Sequence, residues 1–310
     1  MSERLEVGAA SPLGTPVQSV TRARAGSASL AGLALDLQQI SARHPAALVS
    51  APPALMAVDL RIAAGEQVAV IGPSGAGKTT LLQVMSLALG PLSGGLRLNG
   101  VDPWTLSHRQ RQLLRGRLFV APQVPPLPPR QRVVTSVLAG QLPALSLWAS
   151  LRSLFYPRDI PAAFEALEAF NLGDKLFDRV DRLSGGERQR VGLARALVSP
   201  AGLWLIDEPL SALDPARAQQ AIRTLVDRTQ AAGITLVATL HQVDVALANF
   251  PRVIGMREGR VVFDLPSQDI SRDRLQQLYS QFEHELRGEA ALPQALDTQE
   301  PAPPVVMHCR

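Results

Sequence analysis

Residues Gly72, Pro73, Ser74, Gly75, Ala76, Gly77, Lys78 and Thr79 follow the spacing GxxxxGK[ST], with Thr80 directly after. Glycines let a backbone curl until successive N–H groups face one concavity, and a helix starting beside them adds its positive end. A polyphosphate fits such a cradle. Lys78 would then pair with β- and γ-phosphates, and the Thr79 hydroxyl would ligate Mg²⁺. A plain Gly-rich turn carrying a surface lysine is the alternative. Against it, Lys78 and Lys175 are the only two lysines, arginine supplying the rest of the 31 basic residues, so lysine at any chosen position is improbable.

A second group of residues suits hydrolysis. The apolar run 203–206 ends in Asp207 and Glu208. At a strand tip, Asp207 would hold Mg²⁺ through water, and Glu208 would polarise an attacking water as general base. Two adjacent acids alone also suit a solvated turn or a helix start. Taken singly, His241 likewise reads as a structural histidine.

These side chains need rigid elements to hold them. Gln67–Ile71 is a short apolar run ending in Gly72, as in a buried parallel strand; Leu118–Ala121, 203–206 and Thr235–Thr239 repeat that pattern, and 57–62 alternates. Helical patterns fall at 77–89, 188–198 and 215–231. Strands alternating with helices predict an α/β domain with a mainly parallel sheet. Between 123 and 184 the pattern is helical without strand, predicting an inserted helical subdomain at about 124–187. Runs 252–255 and 260–263 flank a Gly-containing hairpin turn. Residues 1–30 read as a flexible extension, 31–287 as the working domain and 288–310 as a loose tail.

Composition narrows the function class. In 310 residues, hydrophobic types make up 46% and charged types 19%, as in an ordinary folded protein. The apolar stretch 139–151 is broken by Gln141, Pro143 and Ser146, so no segment is expected to span a bilayer. Glu3 and Glu6 speak against a secretory signal. Cys309 is the only cysteine, which excludes an internal disulfide and suits a reducing, cytoplasmic setting. A net charge of +4 with scattered basic residues does not call for nucleic acid.

One string is more specific than the rest. Leu183-Ser184-Gly185-Gly186-Glu187-Arg188-Gln189-Arg190 resembles the signature motif of ABC ATPases. A helix capped by Ser184 is true of either reading, since that capping makes an anion site. The resemblance covers roughly 31–265 and implies a P-loop NTPase fold of the ABC ATPase type, with a mainly parallel core sheet, an antiparallel β region and the helical subdomain. It implies that Ser184, Gly185 and Gly186 close over the γ-phosphate of ATP held by a second copy of the chain. By position, Gln123 resembles the Q-loop glutamine near Mg²⁺, water and the membrane partner. Ser211 to Asp214 resembles the D-loop, and His241 the switch histidine at the γ-phosphate. The family's adenine-stacking aromatic is missing from the stretch 41–45; His44 is the candidate there, a plain loop histidine fitting as well. Glu187 stands where many importers carry glutamine.

With no spanning segment, translocation falls to separate integral membrane permease subunits, and the chain would sit peripherally on the cytoplasmic face of the inner membrane. Segment 137–155 is apolar for a surface connection and either docks a partner helix or places Trp148 and Phe155 in a core. Together with 240–245 and 253–264 it resembles the ATPase of phosphonate importers. That implies uptake of phosphonate or a related phosphorus-containing anion, through a permease fed by a solute-binding protein. Another small solute, such as an amino acid or phosphate, is the alternative. Export is a further one. Soluble ABC ATPases of DNA repair or translation carry a long coiled coil or two ATPase units, and neither pattern occurs here.

Overall fold

The computed structural model describes residues 31–48, 50–155 and 159–280, without the side chains of 154 and 155. The expected extension 1–30, the tail 288–310 with Cys309, and the side chain of Phe155 lie outside the described residues. The strands are β1 (Leu35–Ala42), β2 (Leu55–Ile62), β3 (Gln67–Ile71), β4 (Ser93–Leu98), β5 (Leu118–Ala121), β6 (Leu203–Asp207), β7 (Thr235–Thr239), β8 (Arg252–Arg257) and β9 (Arg260–Pro266). The α-helices are α1 (Lys78–Met85), α2 (His108–Arg115), α3 (Val133–Leu138), α4 (Leu147–Phe155), α5 (Ile160–Glu168), α6 (Gly185–Leu197), α7 (Pro215–Ala232), α8 (Val243–Asn249) and α9 (Arg272–Leu278).

The all-apolar runs form the middle of a six-stranded sheet in the order β5-β6-β7-β3-β8-β9, parallel throughout except for β9. Every residue of β3, β6 and β7 is buried, as expected where both faces of a sheet are covered. Side chains then alternate between two cores. Ala69, Ile71, Trp204, Ile206, Leu236 and Ala238 face one, packed by α3, α5, α6, α7 and α8. Val68, Val70, Leu203, Leu205 and Val237 face the other, closed by α1 and by an antiparallel sheet in the order β2-β1-β4. Each buried Val, Leu or Ile side chain contributes roughly 1.5–3 kcal/mol.

Parallel strands all finish at one end, so the loops after β3, β5, β6 and β7 emerge together there. Those loops carry the phosphate loop, Gln123, Glu208 and His241. Between β5 and β6 the described elements are helical only, from α3 to α6. The β8–β9 hairpin turns on Glu258 and Gly259, with φ of 50° and 75°, the two positive values that a type I′ turn requires.

Four differences from the sequence-based expectations have physical causes. Helix α1 ends at Met85, short of the expected 89, because Leu87 takes φ 62° and turns the chain away. β2 begins two residues earlier than the alternating run. β1 carries register shifts at Gln38 and Gln39 that break its alternation, and β4 opens Ser-Gly-Gly, so neither announces itself as a strand. Helix α2 buries no residue outright and so shows no apolar period.

Candidate active site

The loop after β3 is held open by backbone geometry that L side chains rarely adopt. Gly72, Gly75 and Gly77 have φ of 153°, 79° and 97°. At Gly77, the N-cap of α1, a Cβ would also lie 2.5 Å from the Ala54 carbonyl oxygen, so only glycine lets the helix begin there. Lys78 opens α1 and is buried, its Nζ donating to the carbonyls of Gly72 at 2.7 Å and Pro73 at 3.2 Å. The ammonium is thus kept against its own loop, while Ser74, Gly75 and Thr79 are exposed.

A cavity of about 320 Å³ is lined by His44, Ser74 to Thr80, Glu208 and His241. His44, after β1, is half-buried on this wall and accepts the Ala46 N–H at Nδ1, 3.2 Å away. Of the residues singled out from sequence, Gly72, Pro73, Gln123, Asp207, Ser184, Gly185 and Gly186 do not line it.

Glu208, just past β6, collects the other candidates. Gln123 Nε2 donates to its Oε2 at 2.7 Å, and His241 Nε2 lies 2.6 Å from its Oε1. Burial would raise this carboxyl, but the hydrogen bond and charge of His241, together with the charge of Lys78, outweigh that and hold it below its ordinary value. The group is therefore ionised at neutral pH and accepts from both partners. Its backbone sits at φ 45°, a left-handed conformation that costs a non-glycine residue about 1–3 kcal/mol.

What holds that conformation escaped the reading of the sequence. Thr239, at the end of β7 and opposite Asp207 in register, accepts the Glu208 N–H at 3.0 Å and donates to Asp207 Oδ1 at 2.6 Å. In sequence Thr239 signals only a strand-forming β-branched residue.

The signature segment forms a separate unit. Ser184 caps α6 by accepting the Glu187 N–H at 3.2 Å, and the Glu187 carboxylate in turn accepts the Ser184 N–H at 2.7 Å. That backbone bond is the main cause of a lowered Glu187 carboxyl. Gly186 abuts the segment 211–214: a Cβ there would stand 2.8 Å from the Ala212 carbonyl oxygen. Asp214 in turn caps α7 through the Arg217 N–H.

Chemically, the cavity offers a glycine loop and an ammonium for phosphates, with an ionised carboxylate at its edge. No cluster of three or more His, Cys, Asp or Glu suited to a metal ion occurs among the described residues. The donor set nevertheless fits Mg²⁺, a hard cation held by one or two protein oxygens with substrate phosphates completing its shell. Thr79 lines the cavity, and Asp207 is a buried carboxylate at the strand tip.

Residues 103–158 contain eight arginines and no Asp or Glu, a concentration that the even overall spread of charge conceals. Within them Leu147, Trp148 and Leu151 on α4 are exposed, at 84%, 80% and 51%. Trp148 is therefore not a core residue.

The chain is similar to known proteins. Residues 55–211 match the family described as ABC transporter. The chain is 63% identical over 277 residues to the phosphonates import ATP-binding protein PhnC of Polaromonas sp. strain JS666, covering 89% of this chain and 99% of that protein. It is 63% identical over 276 residues to the protein of the same description, PhnC 2, of Albidiferax ferrireducens, covering 89% and 99%. Among solved structures, the dimeric structure of MJ0796, a bacterial ABC transporter cassette, matches with a TM-score of 0.64 at 25% identity, over 76% of this chain and 100% of that one.

Proposed function

Since the chain belongs to the ABC transporter family, we propose that it is the ATP-hydrolysing subunit of an importer that takes up phosphonate or a related phosphorus-containing anion. The observation that carries the catalytic part is the meeting of Gln123 and His241 on the Glu208 carboxylate, at the edge of the phosphate-loop cavity. The solute assignment is supported by the two 63% identical relatives, each matched over 99% of its length.

Phosphoryl transfer needs little covalent chemistry from a protein; positioning and charge do most of the work. The backbone N–H groups of residues 74–80 cradle the phosphates and Lys78 turns its ammonium from the loop carbonyls to the β- and γ-phosphates. His44 flanks the base end of the nucleotide. Glu208 accepts a hydrogen bond from the attacking water and draws off its proton as the water oxygen bonds the γ-phosphorus and the bond from that phosphorus to the β–γ bridging oxygen breaks, with ADP as leaving group. His241 fixes one carboxylate oxygen and contacts the γ-phosphate, while Gln123 fixes the other. When bound, Mg²⁺ held by Thr79, Asp207 and Gln123 would neutralise charge on the phosphates.

Ser184, Gly185 and Gly186 close over the γ-phosphate of a second copy, which accounts for their absence from the walls of their own cavity. The segment 124–187 acts as a helical subdomain, and the exposed face of α4 docks the permease. No helix among the described residues is long and apolar enough to cross a membrane, so the path for the solute is assigned to separate subunits on whose cytoplasmic face this chain sits. Lys78→Ala tests the site: ATP binding by the full chain should be lost, and unchanged affinity would remove the loop from this account.

A further inference from the structure

We infer that Thr239 is a positioning residue for hydrolysis: its hydroxyl locks Asp207 and Glu208 into one rigid unit, aiming the second from the first. This rests on Glu208 facing the attacking water. The geometry is specific. Thr239 is fully buried, and its single hydroxyl serves both acids, donating its proton to Asp207 Oδ1 at 2.6 Å and accepting the Glu208 backbone N–H at 3.0 Å. Gln189 Nε2, on α6, stands 3.5 Å from the Glu208 carbonyl oxygen, so the peptide groups on both sides of this residue are approached by side chains.

Two consequences follow from that arrangement. Glu208 holds φ 45°, a conformation that persists only where its surroundings over-determine it. The bond to Thr239 supplies that constraint, and it also fixes where the Cα–Cβ vector points. The direction of the bonds is set as well: the Glu208 backbone N–H can only donate, so the threonine oxygen accepts it and its one proton is left for Asp207 Oδ1. Removing the hydroxyl therefore takes one bond from each acid at once. Threonine's two β-substituents hold its side chain stiffly at this strand end, which keeps the hydroxyl on target.

Thr239→Val keeps shape and volume but deletes the hydroxyl, and Thr239→Ser keeps the hydroxyl and deletes the methyl. For the full chain, the valine variant should bind ATP as the wild type does while kcat falls about 10- to 100-fold, the scale of a misplaced reactive group. Serine should restore most of the rate. Hydrogen–deuterium exchange at the Glu208 amide should be faster in the valine variant and near wild type in the serine variant, a readout independent of turnover. A folded valine variant with wild-type kcat, or equal losses for valine and serine, would overturn the inference. Glu208→Gln separates the two levels. If it hydrolyses ATP normally, the reading of Glu208 fails; if it is inactive while valine at 239 is not, the role of Thr239 alone fails.

Discussion

At the residue scale, the chemistry concentrates on one carboxylate whose environment sets what it can do. Glu208 is held below its ordinary value of 4.5, against the pull of burial, by His241 and Lys78. A carboxylate so depressed is a weak base, suited to orienting and polarising water more than to storing a proton, which matches the loose transition state of phosphoryl transfer. Glu208→Gln, similar in size but without the charge, should lower hydrolysis by about 100-fold or more while ATP still binds; stopped-flow nucleotide binding beside steady-state phosphate release would separate the two. The depressed value also fixes a pH window. The stabilisation from ionised Glu208 is complete above pH 4.5 and is lost as pH falls through the lower folded-state value. The acid limb of kcat/KM due to this residue should therefore lie below pH 4.5 in wild type and vanish in the glutamine variant.

At the scale of elements, the site is made by where strands and helices end. The N-terminus of α6 depends on the reciprocal bonds of Ser184 and Glu187, so Ser184→Ala should destabilise the chain by about 1 kcal/mol in thermal melts; on the closure over a second copy's nucleotide proposed above, it should reduce hydrolysis more strongly. Glu187→Gln should be milder, because an amide oxygen can still accept the Ser184 N–H. Much of this was legible beforehand. The glycine spacing of the phosphate loop, the fully apolar runs of β3, β6 and β7, and the capping string Ser184 to Glu187 write their local structure directly into residue types. The antiparallel strands did not, because β1 is bulged at Gln38 and Gln39 and β4 is glycine-rich. Thr239 was hidden for another reason. A β-branched residue in a strand needs no further explanation, and its hydroxyl gains meaning only when pairing sets β7 beside β6. Likewise, spacing alone marked 137–155 as apolar without saying which side chains face out.

At the scale of the whole molecule, the phosphate-loop cavity and the signature segment stand apart in one chain, and the proposed function makes them two halves of a site shared between copies. That arrangement predicts assembly through ATP: Glu208→Gln, bound to ATP and unable to hydrolyse it, should run as a dimer in light scattering and return to monomer when ATP is removed. The exposed α4 face makes a separate demand. Trp148→Asp should leave ATPase activity of the isolated chain unchanged yet weaken its recovery with membrane subunits, because Trp148 touches solvent and not the site. The central claim joins ATP hydrolysis to one class of solute. It is tested most directly by reconstituting this chain in liposomes with its permease and solute-binding protein, and measuring ATPase rate against a panel of phosphonate, phosphate and amino acids. The account predicts stimulation by phosphonate above the other solutes; stimulation by another solute with none from phosphonate would contradict it.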